Sequence, residues 1–348
     1  MSLVTIFPMS GPNRFNSAAY HYPKPFIEIG NSTMVGQAIK CYEEVSGNFH
    51  FAVNKRDVVE NRLDLVIKNS VSKVPFSITE VTAETSGALA TCMLVTAGYP
   101  AESELIIANY DQAIDFSIQE VVRYFRSEKA DFGCITFDSS HPKWSFVEVD
   151  DEGCVIRAAE KTPISRDAMV GFYYFKRLED FVHASEKVIL NAPRSSTNFY
   201  VSEAFNQLIL SGKLGRRFKI TPEQYVKFNE PTALENFNAK RFDAKKQMSL
   251  LLTFIRNMPV DPVEQLFSYE VLVSGGKING LYENSEMPGI LRRVFPSSLD
   301  FNVESYIAEG GQAVAFLRES GGRSERRSII RAVYDDQCLI KQIEISLI

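Results

Sequence analysis

Two short segments stand out near the start of the chain, and the first carries residue types suited to holding phosphate. The first, Pro8-Met9-Ser10-Gly11-Pro12-Asn13-Arg14-Phe15, follows an apolar run and ends in a cation. Its backbone N–H groups and the Arg14 guanidinium together form the kind of cradle that accepts a triphosphate. Ser-Gly-Pro-Asn is also ordinary β-turn chemistry, so the meaning of the loop rests on its position after a strand. The second segment, Tyr22-Pro23-Lys24-Pro25-Phe26, sets one lysine between two prolines, which by itself reads as a solvated surface group. No nucleophile triad is legible, and His21, His50, His141 and His183 show no mutual spacing for a metal.

The elements that would position these residues alternate in type. Leu3–Pro8 reads as a buried strand, Met34–Val45 as an amphipathic helix, Phe49–Asn54 as a strand and Asp57–Asn69 as a helix. Ser77–Val81 is a short strand, Ser86–Ala97 a helix, and Glu104–Ala108 a strand ending at Asn109-Tyr110-Asp111. Parallel strands need crossover helices, so the alternation predicts an α/β fold with a doubly wound, mostly parallel sheet. In such sheets ligands sit beyond the carboxyl ends of the strands. The loops after Pro8, Val81 and Ala108 are therefore the places where chemistry is expected.

Taken in order, these motifs resemble the sugar-phosphate nucleotidyltransferases, the nucleoside-diphosphate-sugar pyrophosphorylases that carry a Gly-rich loop ending in Arg and then a Pro-Lys-Pro segment. The first loop is similar to that of a capsule-biosynthesis branch, with its Pro-Met-Ala-Gly start and Arg-Phe finish. Further matches follow collinearly: Glu84-Thr85-Ser86-Gly87-Ala88 for the nucleobase and sugar loop, Asn109-Tyr110-Asp111 for Asn-Gly-Asp, and Glu160-Lys161 before a proline-containing turn. Gly171-Phe172-Tyr173-Tyr174-Phe175 matches a Gly-x-Tyr-x-Phe strand, and Phe199-Tyr200-Val201-Ser202-Glu203 the acceptor-side helix start.

The resemblance implies transfer of a nucleoside monophosphate from a nucleoside triphosphate to a sugar 1-phosphate or similar phospho-acceptor, with release of pyrophosphate. An acceptor phosphate oxygen attacks the α-phosphorus in line, and positioning with charge neutralisation carries the reaction. By the same resemblance Arg14 and Lys24 hold the triphosphate as the catalytic cations. Met9, Ser10, Gly11, Ser86 and Gly87 bind the nucleotide, Glu160, Lys161, Gly171 and Tyr200 bind the acceptor, and Asp111 holds Mg2+.

Three departures from the pattern bear on activity. The first loop is one residue shorter than its relatives', and Pro12 removes an amide donor. Tyr110 replaces a glycine beside Asp111. Lys227, in Tyr225-Val226-Lys227-Phe228, stands where many relatives have a second magnesium-binding aspartate, and an ammonium cannot ligate magnesium. An active enzyme serving surface polysaccharide synthesis, a catalytically degenerate nucleotide or sugar binder, and a protein whose C-terminal part carries a separate ligand all remain open.

Composition narrows the partners. At 348 residues, with 38 basic against 43 acidic groups and a net charge of -5, the chain has the size of two domains and lacks the basic surplus that grips nucleic acid. Five scattered cysteines without a C-x-x-C pair point to a reduced cytoplasm. Leu3–Phe7 has neither a basic flank nor a cleavage site, so it reads as a strand rather than a signal peptide, and no run is long enough to span a membrane.

A boundary is expected near Arg241–Lys246, giving a nucleotidyltransferase-like domain over 1–243 and a smaller α+β domain over 247–348. Within the latter, Gln247–Asn257, Val260–Tyr269 and Met287–Val294 read as helices, with Gly275, Gly276, Gly280 and Gly289 in turns. Asn302–Ala308, Ala313–Glu319, Ser328–Tyr334 and Leu339–Ser346 read as antiparallel strands. This order is similar to the nuclear transport factor two cone, which encloses a ligand or dimerises, so a homodimer through this domain is left open. Arg292, Arg293, Arg318, Arg323, Arg326 and Arg327 are a basic group there, for an anion or as a solvated sheet edge.

Overall fold

In the computed structural model the described residues are 3–15, 20–29, 32–193, 195–241, 251–252, 255, 267–274, 280–294, 300–309, 312–320, 327–334 and 340–347. The chain divides into two compact units, Met1–Ile27 with Ser32–Ala233, and Glu28–Asn31 with Leu234–Ile348.

The first unit opens with β1 (Leu3–Met9), α1 (Met34–Tyr42), β2 (Asn48–Asn54), α2 (Lys55–Asn61), α3 (Leu63–Ser70), β3 (Phe76–Val81), α4 (Gly87–Thr96) and β4 (Glu104–Ala108). It continues through β5 (Gln112–Ile114), α5 (Ile118–Ser127), β6 (Phe132–Asp138), β7 (Phe146–Val149), β8 (Val155–Ala159) and β9 (Asp167–Phe175). Then come α6 (Leu178–Asn191), α7 (Val201–Leu210), β10 (Gly215–Lys219) and β11 (Tyr225–Lys227), and the division between the units falls within α8 (Pro231–Arg241). The main sheet runs β8-β7-β9-β4-β1-β2-β3, with β6 against β9 and β10 against β6.

β1 pairs in parallel with both β2 and β4, and β2 with β3. From β1 the chain winds outward to β3, then returns to the opposite side of β1 as β4. This reversal makes the crevice at the carboxyl ends of β1 and β4 the switch point where α/β sheets take ligands. β9 lies antiparallel to β4, β6 and β7, so the other half of the sheet is mixed.

Alternation along the strands sends side chains to two covered faces. Phe172 and Tyr174 of β9 meet Phe125 of α5, with ring centroids 6.3 and 5.2 Å away. Their neighbours Tyr173 and Phe175 meet Phe205 of α7 at 5.9 and 5.8 Å on the other face. The helices are shaped for this: α5 buries Ile118, Val121, Val122 and Phe125, which recur at helical spacing.

The helix expected over Asp57–Asn69 is two helices. Arg62 takes a left-handed φ of 58° between them, and its N–H caps α2 through the carbonyls of Asp57 and Val58. Leu63 and Ile67, four residues apart, bury the second piece.

The second unit comprises β12 (Phe267–Ser274), β13 (Gly280–Glu283), α9 (Met287–Val294), β14 (Asp300–Glu309), β15 (Gln312–Ser320), β16 (Arg327–Tyr334) and β17 (Ile340–Leu347). They form one sheet, β13-β12-β17-β16-β15-β14. The four strands expected near the end and the helix Met287–Val294 are all present. The helix expected over Val260–Tyr269 is contradicted at its end. Phe267 begins a strand in which Phe267, Val271 and Val273 are buried and which pairs in parallel with β17. Partners distant in sequence override the local pattern there. Most of Gln247–Asn257, and Gly275, Gly276, Arg323 and Arg326, lie outside the described residues.

Candidate functional site

The loop after β1 is bound into the unit rather than free. Met9 and Ser10 are buried. Ser10 Oγ lies 3.0 Å from Thr91 Oγ1 on α4, which lies 2.6 Å from Thr85 Oγ1. Asn13, exposed only 8%, donates to the Asp57 carboxylate. Gly11 is exposed, and a side chain there would meet nothing. The Arg14 guanidinium donates to the His21 carbonyl at 2.7 Å, on the surface.

Lys24 is drawn inward. Its backbone N–H donates to the Asn13 carbonyl at 2.5 Å, its ammonium lies over the Phe15 ring at 5.2 Å, and only 10% of its side chain is exposed. That ammonium contacts Asp111 Oδ2 at 3.3 Å. β11 runs antiparallel to β5 with Lys227 opposite Gln112, which brings the second ammonium 3.9 Å from Asp111 Oδ1. The Phe228 N–H donates to the Asp111 carbonyl at 2.9 Å and fixes that register. Each carboxylate oxygen of Asp111 therefore faces a different lysine.

Tyr110 is buried. Burial first, and then the carboxylates of Asp111 and Asp57, push its hydroxyl far above the ordinary range.

Gly87 holds a left-handed φ of +92°, and a Cβ there would strike the Phe199 carbonyl. The Phe199 N–H donates to the Ser86 carbonyl at 2.8 Å, and its carbonyl accepts from the Leu89 N–H at 3.2 Å. The start of α7 is thereby laid against the start of α4. Gly171 is likewise tight: a Cβ would run into the Asn109 side chain. The Asn109 N–H and Gln112 Nε2 both donate to its carbonyl at 2.9 Å.

Beyond these strand ends lies a cleft of about 360 Å³. Glu160, Lys161, Gly171 and Tyr200 line it together with Pro8, Ala88 and Asn109, joined by Lys143, Trp144, Ser145 and Lys227. One oxygen of Glu160 accepts hydrogen bonds from Ser145 Oγ and, at 2.9 Å, from Ser202 Oγ. Lys161 takes a left-handed φ of 51° and lays its ammonium 5.1 Å from the Tyr200 ring centre and 3.3 Å from its hydroxyl. Strain of this kind costs about 1–3 kcal/mol and gathers at binding sites. Lys143 lies 4.7 Å over the Trp144 ring.

The four residues expected at the acceptor thus share one cleft. Asp111 adjoins it through Lys227. Met9, Ser10, Gly11, Arg14, Lys24, Ser86 and Gly87 do not line it, although their neighbours Pro8 and Ala88 do. The sequence reading missed Lys143, Trp144 and Ser145. The signal was there in the lone tryptophan of the chain, set in the polar run Ser139-Ser140-His141-Pro142-Lys143-Trp144-Ser145.

Solved structures share this architecture. A nucleoside-diphosphate-sugar pyrophosphorylase from Vibrio cholerae superposes with a TM-score of 0.58 at 24% identity, covering 67% of this chain and 98% of its own. A Bacillus anthracis protein provisionally assigned as a glucose-1-phosphate thymidylyltransferase, solved with a sucrose, gives 0.54 at 13% identity, covering 69% and 95%. The α/β unit has the fold of the sugar nucleotidyltransferases. No protein-family profile and no curated protein matches the sequence.

The residues present do not fit a resident magnesium ion. Magnesium asks for near-octahedral oxygen ligands at about 2.0–2.1 Å. Here both oxygens of Asp111 face ammonium groups, and no group of three or more His, Cys, Asp or Glu able to hold a metal exists among the described residues.

Proposed function

We propose that the α/β unit is a nucleotidyltransferase that joins a nucleoside monophosphate, taken from a nucleoside triphosphate, to a sugar 1-phosphate or similar phospho-acceptor. Pyrophosphate leaves, and the product serves surface polysaccharide synthesis. The observation that carries this reading is the cleft at the switch point, in which Glu160 and Asn109 offer acceptors and donors for hydroxyls while Lys143, Lys161 and Lys227 offer charge for phosphate. The chain's own residues bind, orient and neutralise; the attacking oxygen comes from the acceptor phosphate, and the electron pair of the breaking P–O bond leaves on pyrophosphate. The magnesium expected from the family resemblance enters, in this reading, as the counter-ion of the nucleotide substrate.

The test is pyrophosphate release screened over the four common triphosphates and a panel of sugar 1-phosphates. Release with one pair supports transfer, and none with any pair defeats it. A second reading, a catalytically silent binder of phosphorylated sugars or nucleotides, is favoured by the two lysines on Asp111. Binding without release would support it.

The C-terminal sheet we read as a cone similar to nuclear transport factor two, through which two copies pair. Its six-stranded order and the helix Met287–Val294 support this. Mass in solution by light scattering tests the pairing. A cytoplasmic setting is supported by the reduced, buried thiols of Cys92 and Cys134. No helix among the described residues is long and apolar enough to cross a membrane.

A further inference from the structure

We infer that Lys24, Asp111 and Lys227 form a built-in cationic group that takes phosphate oxygens directly and does the work of a divalent ion at this position; the inference rests on reading the adjoining cleft as a site for phosphorylated ligands. Two ammonium groups share one carboxylate, so a positive charge is left over. The side chains of Lys24, Lys227 and Asp111 are exposed only 10%, 21% and 16%. A partly buried ammonium without a full counter-charge is costly, and an incoming anion relieves that cost.

The surplus has a direction. Lys227 lines the cleft, where the charged lining is three lysines, Lys143, Lys161 and Lys227, against the single carboxylate Glu160. One Glu160 oxygen is already occupied by Ser145 and Ser202. An ammonium carries three donors and is a compact point charge suited to phosphate. Asp111 takes up only part of that capacity and holds both lysines in place, much as a buried carboxylate orients any cationic partner. A metal ion arriving at Asp111 would have to displace two like charges, and no group of three or more His, Cys, Asp or Glu stands ready to hold it among the described residues.

Trp144, the lone tryptophan, lines the same cleft and reports occupancy by its fluorescence. The experiment titrates the full-length protein with inorganic phosphate, first in excess chelator and then in excess magnesium. The dissociation constant is expected to agree within about twofold between the two. Lys227→Gln should weaken binding about tenfold, the effect of losing roughly 1.4 kcal/mol of charge-assisted contact, and Lys227→Arg should restore most of it. Asp111→Asn should bind phosphate no more weakly than wild type, since it releases two ammonium groups from their shared partner; a carboxylate acting as metal ligand demands the opposite.

Affinity lost in chelator and recovered with magnesium would overturn the inference. So would absence of binding in both conditions, or wild-type affinity in Lys227→Gln when that variant melts normally. Pyrophosphate release reads the reaction separately. Release combined with metal-dependent phosphate binding would keep the proposed function and remove the lysine group, whereas metal-independent binding without release would do the reverse.

Discussion

At the scale of single residues, the site depends on atoms that are missing as much as on those present. Gly87 combines a left-handed φ of +92° with a Cβ position occupied by the Phe199 carbonyl. Gly87→Ala is therefore expected to lower stability by about 2 kcal/mol or more, because both the dihedral and the backbone opposite resist it. A chemical-denaturation midpoint equal to wild type would show that α4 and the Phe199 segment are not in contact.

Glu160 poses a different question, since one of its oxygens is held by serines and the other is left for a ligand. Glu160→Gln keeps the shape and removes the charge. It should raise KM for the phosphorylated acceptor about tenfold, the worth of a hydrogen bond to a charged group, and leave the nucleotide KM nearly unchanged. Equal changes for both substrates would place Glu160 elsewhere in the reaction.

At the scale of elements, one ion pair ties three of them together at the end of the sheet opposite the cleft. Glu104 opens β4, Arg126 of α5 donates to it through Nε at 2.9 Å, and the Tyr174 hydroxyl of β9 donates at 2.6 Å. Burial by itself would raise the Glu104 carboxyl, but the Arg126 and Tyr174 hydrogen bonds outweigh it and hold the carboxyl below its ordinary value. A depressed folded pKa means that the unfolded chain binds the proton first on acidification. The resulting stability is present above the unfolded carboxylate value of about 4.3 and lost as pH falls through the folded value. Glu104→Gln should thus cost about 1–3 kcal/mol at pH 7, and the gap from wild type should close in acid. Urea midpoints of both proteins at neutral and acidic pH measure it.

The break between α2 and α3 is also open to test. Arg62 is a left-handed arginine whose exposed pairing with Asp64 is worth little. Arg62→Gly should leave the melting temperature unchanged or slightly raised, because relief of strain offsets the added freedom of the unfolded chain. A drop of several degrees would mean that the arginine side chain matters more than its backbone.

On the scale of the whole molecule, each compact unit carries its own core. Phe205 belongs to one, its ring 4.7 Å from that of Phe132, and Ile330 belongs to the other; both are fully buried. Phe205→Ala should cost about 3–5 kcal/mol and Ile330→Ala about 2–5 kcal/mol. If the units unfold separately, calorimetry will show two transitions, each moved by only one of these substitutions. A single transition moved by both would mean that the units unfold together.

The order of strands and helices as far as Asp111 could be read from the chain because it depends on local pattern: apolar runs of strand length, helical periodicity in Met34–Tyr42, and a glycine at Gly87. Glu160, Lys161, Gly171 and Tyr200, the residues expected at an acceptor, were legible as motifs, and the fold gathers them into one cleft. Long-range pairing decided the rest. Phe267 is helical by its neighbours and a strand by its partner β17, which lies some seventy residues further along. Trp144 enters the cleft only because β6 and β7 both pack on β9. Lys227 reads in the sequence as a lost metal ligand. It becomes a charged partner of Asp111 through the β5–β11 register, a contact between residues more than a hundred positions apart that no local pattern encodes.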